Sequence, residues 1–159
     1  MILVTVGLHN YGFERLLKPM DELASELDTK VIIQYGSSTY IPAHAECFQW
    51  VSYHQFNQFI HQANVVVSHV AAGSILTSFR HNKPIVLVPR RKKYGEAIDD
   101  HQLQLSSALE KNKKAIVVYE PSAQNLRAAI HHAKNRISTF EINQQLIAVL
   151  QNQFNSWAK

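Results

Sequence analysis

Apolar and polar positions follow two rhythms along this chain. Short, nearly unbroken apolar runs stand at residues 2–6, 31–35, 65–68, 85–88 and 115–118. Such a run predicts a strand buried on both faces, as in a parallel sheet covered by helices. A shorter run at 48–51 predicts one more strand. Between the runs the apolar residues fall at helical spacing. Phe13, Leu16, Leu17, Met20, Leu23, Ala24 and Leu27 predict a helix over 13–27, and Phe56, Phe59 and Ile60 a short one over 55–62. Further helices are predicted over 74–81 and 100–110, and from a cap at Ser122 to about residue 134. Strand and helix alternate, so the fold class is α/β: a doubly wound parallel sheet with right-handed crossovers. No repeat or interdomain linker interrupts residues 1–159, which are read as a single domain.

The last segment, 140–159, carries Ile142, Leu146, Val149, Leu150, Phe154 and Trp157 at three- and four-residue intervals. It predicts a C-terminal amphipathic helix, either packed on its own domain or offering a docking face to a partner.

Composition narrows the classes. With 46% hydrophobic and 18% charged residues the chain is an ordinary globule, and 159 residues suffice for a core without metal or disulfide staples. Its only apolar start, residues 1–6, is too short for a signal peptide or a membrane span. The lone Cys47 excludes an internal disulfide and fits a reducing cytoplasm; packing suits it better than nucleophilic work. Net charge is +4, concentrated in Arg90-Arg91-Lys92-Lys93. That run reads as a solvated loop, a phosphate contact, or an attraction to anionic lipid headgroups worth about 1 kcal/mol per residue. Nucleic acid is not expected as a partner, because no aromatic stacking platform or reading motif accompanies the charge.

Three loops follow strands at the edge where such sheets bind ligands. The first, Gly7-Leu8-His9-Asn10-Tyr11-Gly12, has the Gly-x4-Gly of a phosphate loop, but Phe13-Glu14 replace its Lys-Ser/Thr, so an ATPase is excluded. His9 could bond a phosphate oxygen, carry a proton, or serve no purpose there. In the second loop Ala71, Ala72 and Gly73 leave backbone N–H groups open to an anion, and Ser74 adds a hydroxyl. A helix end there would stabilise a diphosphate by up to roughly 2 kcal/mol. Small residues before a helix also serve plain close packing. His69 reads as holding this turn. In the third loop Glu96, Asp99, Asp100, His101 and Gln102 crowd together. Helix capping explains Asp99, whereas carboxylate plus amide is suited to sugar hydroxyls. Adjacent carboxylates on a helix start point apart, so no metal is expected. His131-His132 reads as surface decoration.

Together these loops resemble the C-terminal half of glycosyltransferase family 28, and in particular the small soluble subunits of two-protein UDP-sugar transferases. Those subunits include the eukaryotic one that helps add the second N-acetylglucosamine to a lipid-linked precursor, and bacterial exopolysaccharide ones. The matching residues are Val-Thr-Val-Gly-x-His-x-x-x-Phe-x-Arg-Leu (4–16), Val-Ile-Ile-Gln-Tyr-Gly (31–36), Ser-His-x-x-Ala-Gly-Ser-Ile (68–75), Lys-Pro-Ile-Val-Leu-Val-Pro-Arg (83–90) and Lys-Tyr-Gly-Glu-x-x-Asp-Asp-His-Gln (93–102). The similarity covers roughly residues 1–120 in register.

The resemblance implies a Rossmann-like domain, the nucleotide-binding half of a GT-B fold. It implies donor phosphates at Gly7, His9, Ala72, Gly73 and Ser74, and the uracil and ribose at Ser52, Tyr53 and Thr77, the first two in a loop after the third strand. It implies the sugar at Glu96, Asp100, His101 and Gln102, with His9 and His101 as catalytic candidates and Arg90 or His9 offsetting the charge of the departing UDP. Val70-Ala71 and Thr77 depart from the family pattern, where Gly-Gly and a ribose-binding glutamate are common. The implied activity is inverting transfer of a hexose or uronic acid from a UDP-sugar, without metal or other cofactor, to a lipid-linked saccharide in exopolysaccharide or capsule synthesis. A membrane-associated partner would supply the acceptor half, and the chain would sit in the cytoplasm, peripheral to the inner face of the membrane. Two alternatives stay open: a non-catalytic sugar-nucleotide-binding regulatory subunit, and a self-contained small-molecule enzyme working as a homodimer, a homo-oligomer being possible in either case.

Overall fold

A computed structural model of the chain describes residues 1–135; the predicted helix at 140–159 lies outside them. Six strands, β1 (Ile2–Thr5), β2 (Val31–Gln34), β3 (Glu46–Phe48), β4 (Val65–Ser68), β5 (Ile85–Leu87) and β6 (Ile116–Val117), form one sheet in the order β3-β2-β1-β4-β5-β6. Every pairing is parallel. Five helices cover it: α1 (Glu14–Glu26), α2 (Tyr53–Gln62), α3 (Ala72–Arg80), α4 (His101–Lys111) and α5 (Ala123–Asn135).

Alternation within the strands builds two cores. Ile2, Val4, Val31, Ile33, Val65 and Val67 face α1 and α5, meeting Leu16, Leu17, Met20, Leu126 and Ile130. Leu3, Ile32, Val66, Ile85 and Leu87 face the other way, onto Ile60, Ile75, Phe79, Leu105 and Leu109. Burial on both faces explains why the strands read as continuous apolar runs.

Several boundaries differ from expectation, among them α2, which starts at Tyr53 rather than at residue 55. β3 pairs Glu46 with Ile32 and Phe48 with Gln34, so the edge strand ends where 48–51 was expected to begin one. Its position is set by pairing with β2, not by its own apolar residues. Helix α3 starts two residues earlier than predicted, which puts Ala72 and Gly73 inside its first turn. Ser122 accepts from the N–H of Asn125 at 3.1 Å, the expected cap.

The chain reverses direction across the sheet between β1 and β4, where Thr5 pairs with Ser68. Loops leaving these two strands part company and open a crevice at their carboxyl ends.

Candidate functional site

A cleft of about 300 Å³ fills that crevice. Thr5 and Gln34 form its floor, each a polar residue ending an otherwise apolar strand. The Thr5 hydroxyl donates to Gln34 Oε1 and accepts from the Gly7 N–H at 3.3 Å, while Gln34 Nε2 donates to the Gly7 carbonyl at 3.4 Å. Two strand ends thereby fix the start of the first loop. Gly7 is required there twice over: φ is +77°, and a Cβ would lie 2.6 Å from His69 Nε2.

One wall is the start of α3. Its cap residue, Ala71, offers no side-chain hydrogen bond, and the first helical bond of this turn runs from Ile75 N to Ala71 O at 3.1 Å. The N–H groups of Ala72, Gly73 and Ser74 precede it and have no partner within the helix. A Cβ added to Gly73 would meet nothing within 4 Å, so close packing does not explain that glycine. Partial positive charge gathers at such a terminus.

His69 forms the base of this wall and is buried. Burial, then the nearby positive charge of Arg90, pushes its pKa down to about 3, so the ring is neutral in any physiological medium. Holding the turn was its expected part; lining the cleft is an addition. The opposite wall is apolar, made by Val51, Phe56 and Tyr53. Ser52 and Tyr53 do not sit in a free loop as expected. Ser52 caps α2 in a reciprocal capping box with Gln55, and Tyr53 is the first helical residue, 71% exposed. Thr77, one turn into α3, is buried against the cleft.

The third loop behaves differently. Glu96 is buried, accepts from Arg15 Nε and Nη2 at 2.8 Å each, and from the Arg91 N–H at 3.0 Å. Asp100 Oδ1 accepts from the Lys92 N–H at 3.0 Å, and Asp99 takes the His101 N–H and its Nδ1 at 3.0 Å each. Gln102 Oε1 receives the N–H groups of Val70 (3.2 Å) and Arg90 (3.0 Å), tying the second loop to the third. None of Glu96, Asp100, His101 and Gln102 lines the cleft, against the expectation of a sugar-binding cluster. The side chains of Glu96, Asp100 and Gln102 hold the backbone of the loops, and the His101 ring pairs with Asp99.

His9 also stands outside the cleft, exposed and stacked on Tyr11 (4.8 Å between ring centres), with Nδ1 accepting the Tyr11 N–H at 3.4 Å. The basic run divides. Arg90 is in the core, Arg91 and Lys93 reach Glu120 at 3.3 and 3.8 Å, and Lys92 and Lys93 are exposed. Among the described residues no three His, Cys, Asp or Glu side chains gather as metal ligands would, and no helix is long and apolar enough to cross a membrane. Sequence reasoning passed over Thr5 and Gln34, although a polar residue ending a buried strand was the available signal.

Solved structures share this fold. No curated protein matches the chain. Among solved structures, the glycotransferase of kitacinnamycin superposes with a TM-score of 0.63 at 20% identity, over 96% of this chain and 40% of its own. The calicheamicin glycosyltransferase CalG4 gives 0.65 at 16% identity, over 86% and 36%, and MurG of Acinetobacter baumannii 0.57 at 15%, over 94% and 49%. At such identities the likeness is one of fold, that of the C-terminal, Rossmann-like half of a GT-B protein, and the chain spans less than half the length of each. The profile of the glycosyltransferase family 28 C-terminal domain matches residues 1–156, nearly the whole chain, and the chain belongs to that family.

Proposed function

We propose that this chain is the donor-binding half of a UDP-sugar glycosyltransferase, passing a hexose or uronic acid to a lipid-linked saccharide acceptor with inversion. One observation carries the reading: the uncapped first turn of α3 opens its free N–H groups onto a cleft at the switch point of the sheet. A diphosphate lying across Ala72, Gly73 and Ser74 would meet donors and the positive helix end together. Tyr53, Phe56 and Val51 would flank the uracil, and the Thr77 hydroxyl would bond the ribose. Transfer breaks the bond from the anomeric carbon to the diphosphate, and the helix end stabilises the charge growing on UDP. The acceptor hydroxyl attacks from the opposite face and gives its proton to a base.

That base belongs to the acceptor side. His69, the imidazole among the described residues lining the cleft, is neutral but enclosed by the fold. We assign the acceptor side to a membrane-associated partner at the inner face of the membrane. Leu8 and Tyr53, which line the cleft and are 74% and 71% exposed, give it an apolar contact. No metal enters this scheme.

Titration calorimetry against UDP, UDP-sugars and GDP-sugars tests the reading. UDP and at least one UDP-sugar bind the isolated chain, and crystals soaked in UDP show the diphosphate on residues 72–74. An empty cleft in those crystals defeats it. The commitment of Asp100 and Gln102 to backbone contacts, and of the His101 ring to Asp99, favours a second reading, a non-catalytic sugar-nucleotide-binding subunit. Turnover by the chain reconstituted with its partner, lost on Gly7→Val while the pair still assembles, decides for the enzyme.

A further inference from the structure

The described residues that line the cleft include no charged side chain, yet a buried cation lies directly behind them. Arg90, 2% exposed, extends beneath the first loop. Its Nη2 donates to the Val6 carbonyl at 2.9 Å, and its Nη1 to those of Tyr11 (3.1 Å), Gly12 (2.8 Å) and Glu96 (3.2 Å). The guanidinium also stands over the Phe13 ring, 4.6 Å from its centre. We propose that Arg90, which touches nothing in the cleft, is the fixed positive charge of the donor site, acting on the diphosphate through the backbone it holds. The proposal rests on the donor-site reading above.

Three observations support it. First, every side-chain hydrogen bond of Arg90 goes to a neutral carbonyl. Taking a cation out of water costs several kcal/mol, and an ion pair is the usual compensation. Here the carboxylate of Glu96 is held instead by Arg15 and by the Arg91 N–H, and Arg90 Nε is buried with no hydrogen-bond partner among the described residues. Glu96 and Glu14 attract the guanidinium from a distance and Arg15 opposes them, but neither carboxylate bonds it directly. Burial lowers its pKa to about 10, which leaves it charged at neutral pH.

Second, the charge is felt in the cleft. After burial itself, Arg90 is the largest influence keeping the His69 ring unprotonated. A field that opposes an imidazolium at that wall favours a phosphate there. Third, the carbonyls of Val6, Tyr11 and Gly12 are drawn toward Arg90, so the loop that bears Gly7 and borders the cleft is shaped by the same group that charges it. Arg90 is therefore a positioning residue, and its effect separates by ligand charge.

The test compares UDP with uridine, which fills the same base and ribose positions without phosphate. Arg90→Gln weakens UDP by about tenfold or more while uridine changes by no more than about threefold. Arg90→Lys, which keeps the charge, preserves the UDP-to-uridine ratio within about threefold. A folded Arg90→Gln chain with an unchanged ratio overturns the proposal, though wild-type binding of UDP would leave the donor-site reading standing. Absence of UDP binding to the wild type defeats that reading first. If Arg90→Gln does not fold, the wild type still decides. Salt hardly screens a buried charge, so UDP affinity falls less than about fivefold between about 0.05 and about 0.5 M NaCl. A fall of about thirtyfold or more would assign the attraction to exposed lysines such as Lys92 and overturn the proposal.

Discussion

The second and third loops leave neighbouring strands, β4 and β5, at the same edge of the sheet, yet they use their atoms in opposite ways. Residues 96–102 hold two aspartates, a glutamate, a histidine and a glutamine, a rich ligand set on paper. In the structure they bond Arg15, His101 and the backbone N–H groups of Val70, Arg90, Arg91, Lys92 and His101. Residues 71–73 hold nothing but alanine and glycine, yet the helix start they form opens its N–H groups onto the cleft. Side chains able to bind a ligand are equally able to bind their own chain, and a loop that must turn sharply after a strand uses them first. Backbone donors left uncapped have no such competitor.

The comparison breaks most visibly at Glu96. Its carboxylate and the half-buried Arg15 form a pair at 2.8 Å, with side-chain exposures of 7% and 16%. Glu96→Gln leaves the Arg15 charge without its partner, and we expect a loss of about 3 kcal/mol in urea unfolding. Donor binding should fall only as far as the folded fraction falls. Full stability with UDP-sugar binding abolished would instead make the third loop a ligand site, and the contrast would be lost.

Much of the fold was legible because burial is written in apolar positions. Five of the six strands and the described helices follow from it to within a few residues. The edge strand did not, because three residues of pairing with β2 fix it while Trp50 and Val51 continue the apolar run beyond it. The start of α3 did not either, since Ala72 and Gly73 carry no periodic signal. At the site, Gly7, Gly73, Ser74, Tyr53 and Thr77 line one cleft. Gln102 and Glu96 do not join them. A sequence records which groups can make hydrogen bonds, not which bonds folding has already made.

A smaller effect sharpens the contrast from within the second loop. The fold keeps His69 neutral with a pKa of about 3, whereas in the unfolded chain the ring takes up a proton near its ordinary value. More protons bind the unfolded state between these values, so stability falls as the medium is acidified through that range. From about pH 7.5 to about pH 5 the wild type should lose about 2 kcal/mol in urea unfolding. His69→Gln should flatten that part of the profile. An equal slope in both proteins would mean that the ring is wetter than its burial implies, and that the cleft wall is open to water.

The finest test concerns Gly73, where stability and binding should move in opposite directions. Alanine there adds a methyl group that meets nothing within 4 Å, in the first turn of a helix. Alanine loses less backbone freedom than glycine on folding, so Gly73→Ala should stabilise the chain by about 0.5 kcal/mol. The same methyl projects into the space through which an anion reaches the N–H groups of residues 72–74. UDP affinity should therefore drop by about tenfold, equivalent to about 1.4 kcal/mol, while uridine is held nearly as before. A glycine kept for packing gives the reverse pattern, lost stability with binding intact. If Gly73→Ala is more stable and binds UDP as well as the wild type does, the diphosphate does not use the backbone of α3, and an open helix end has been mistaken for a binding site.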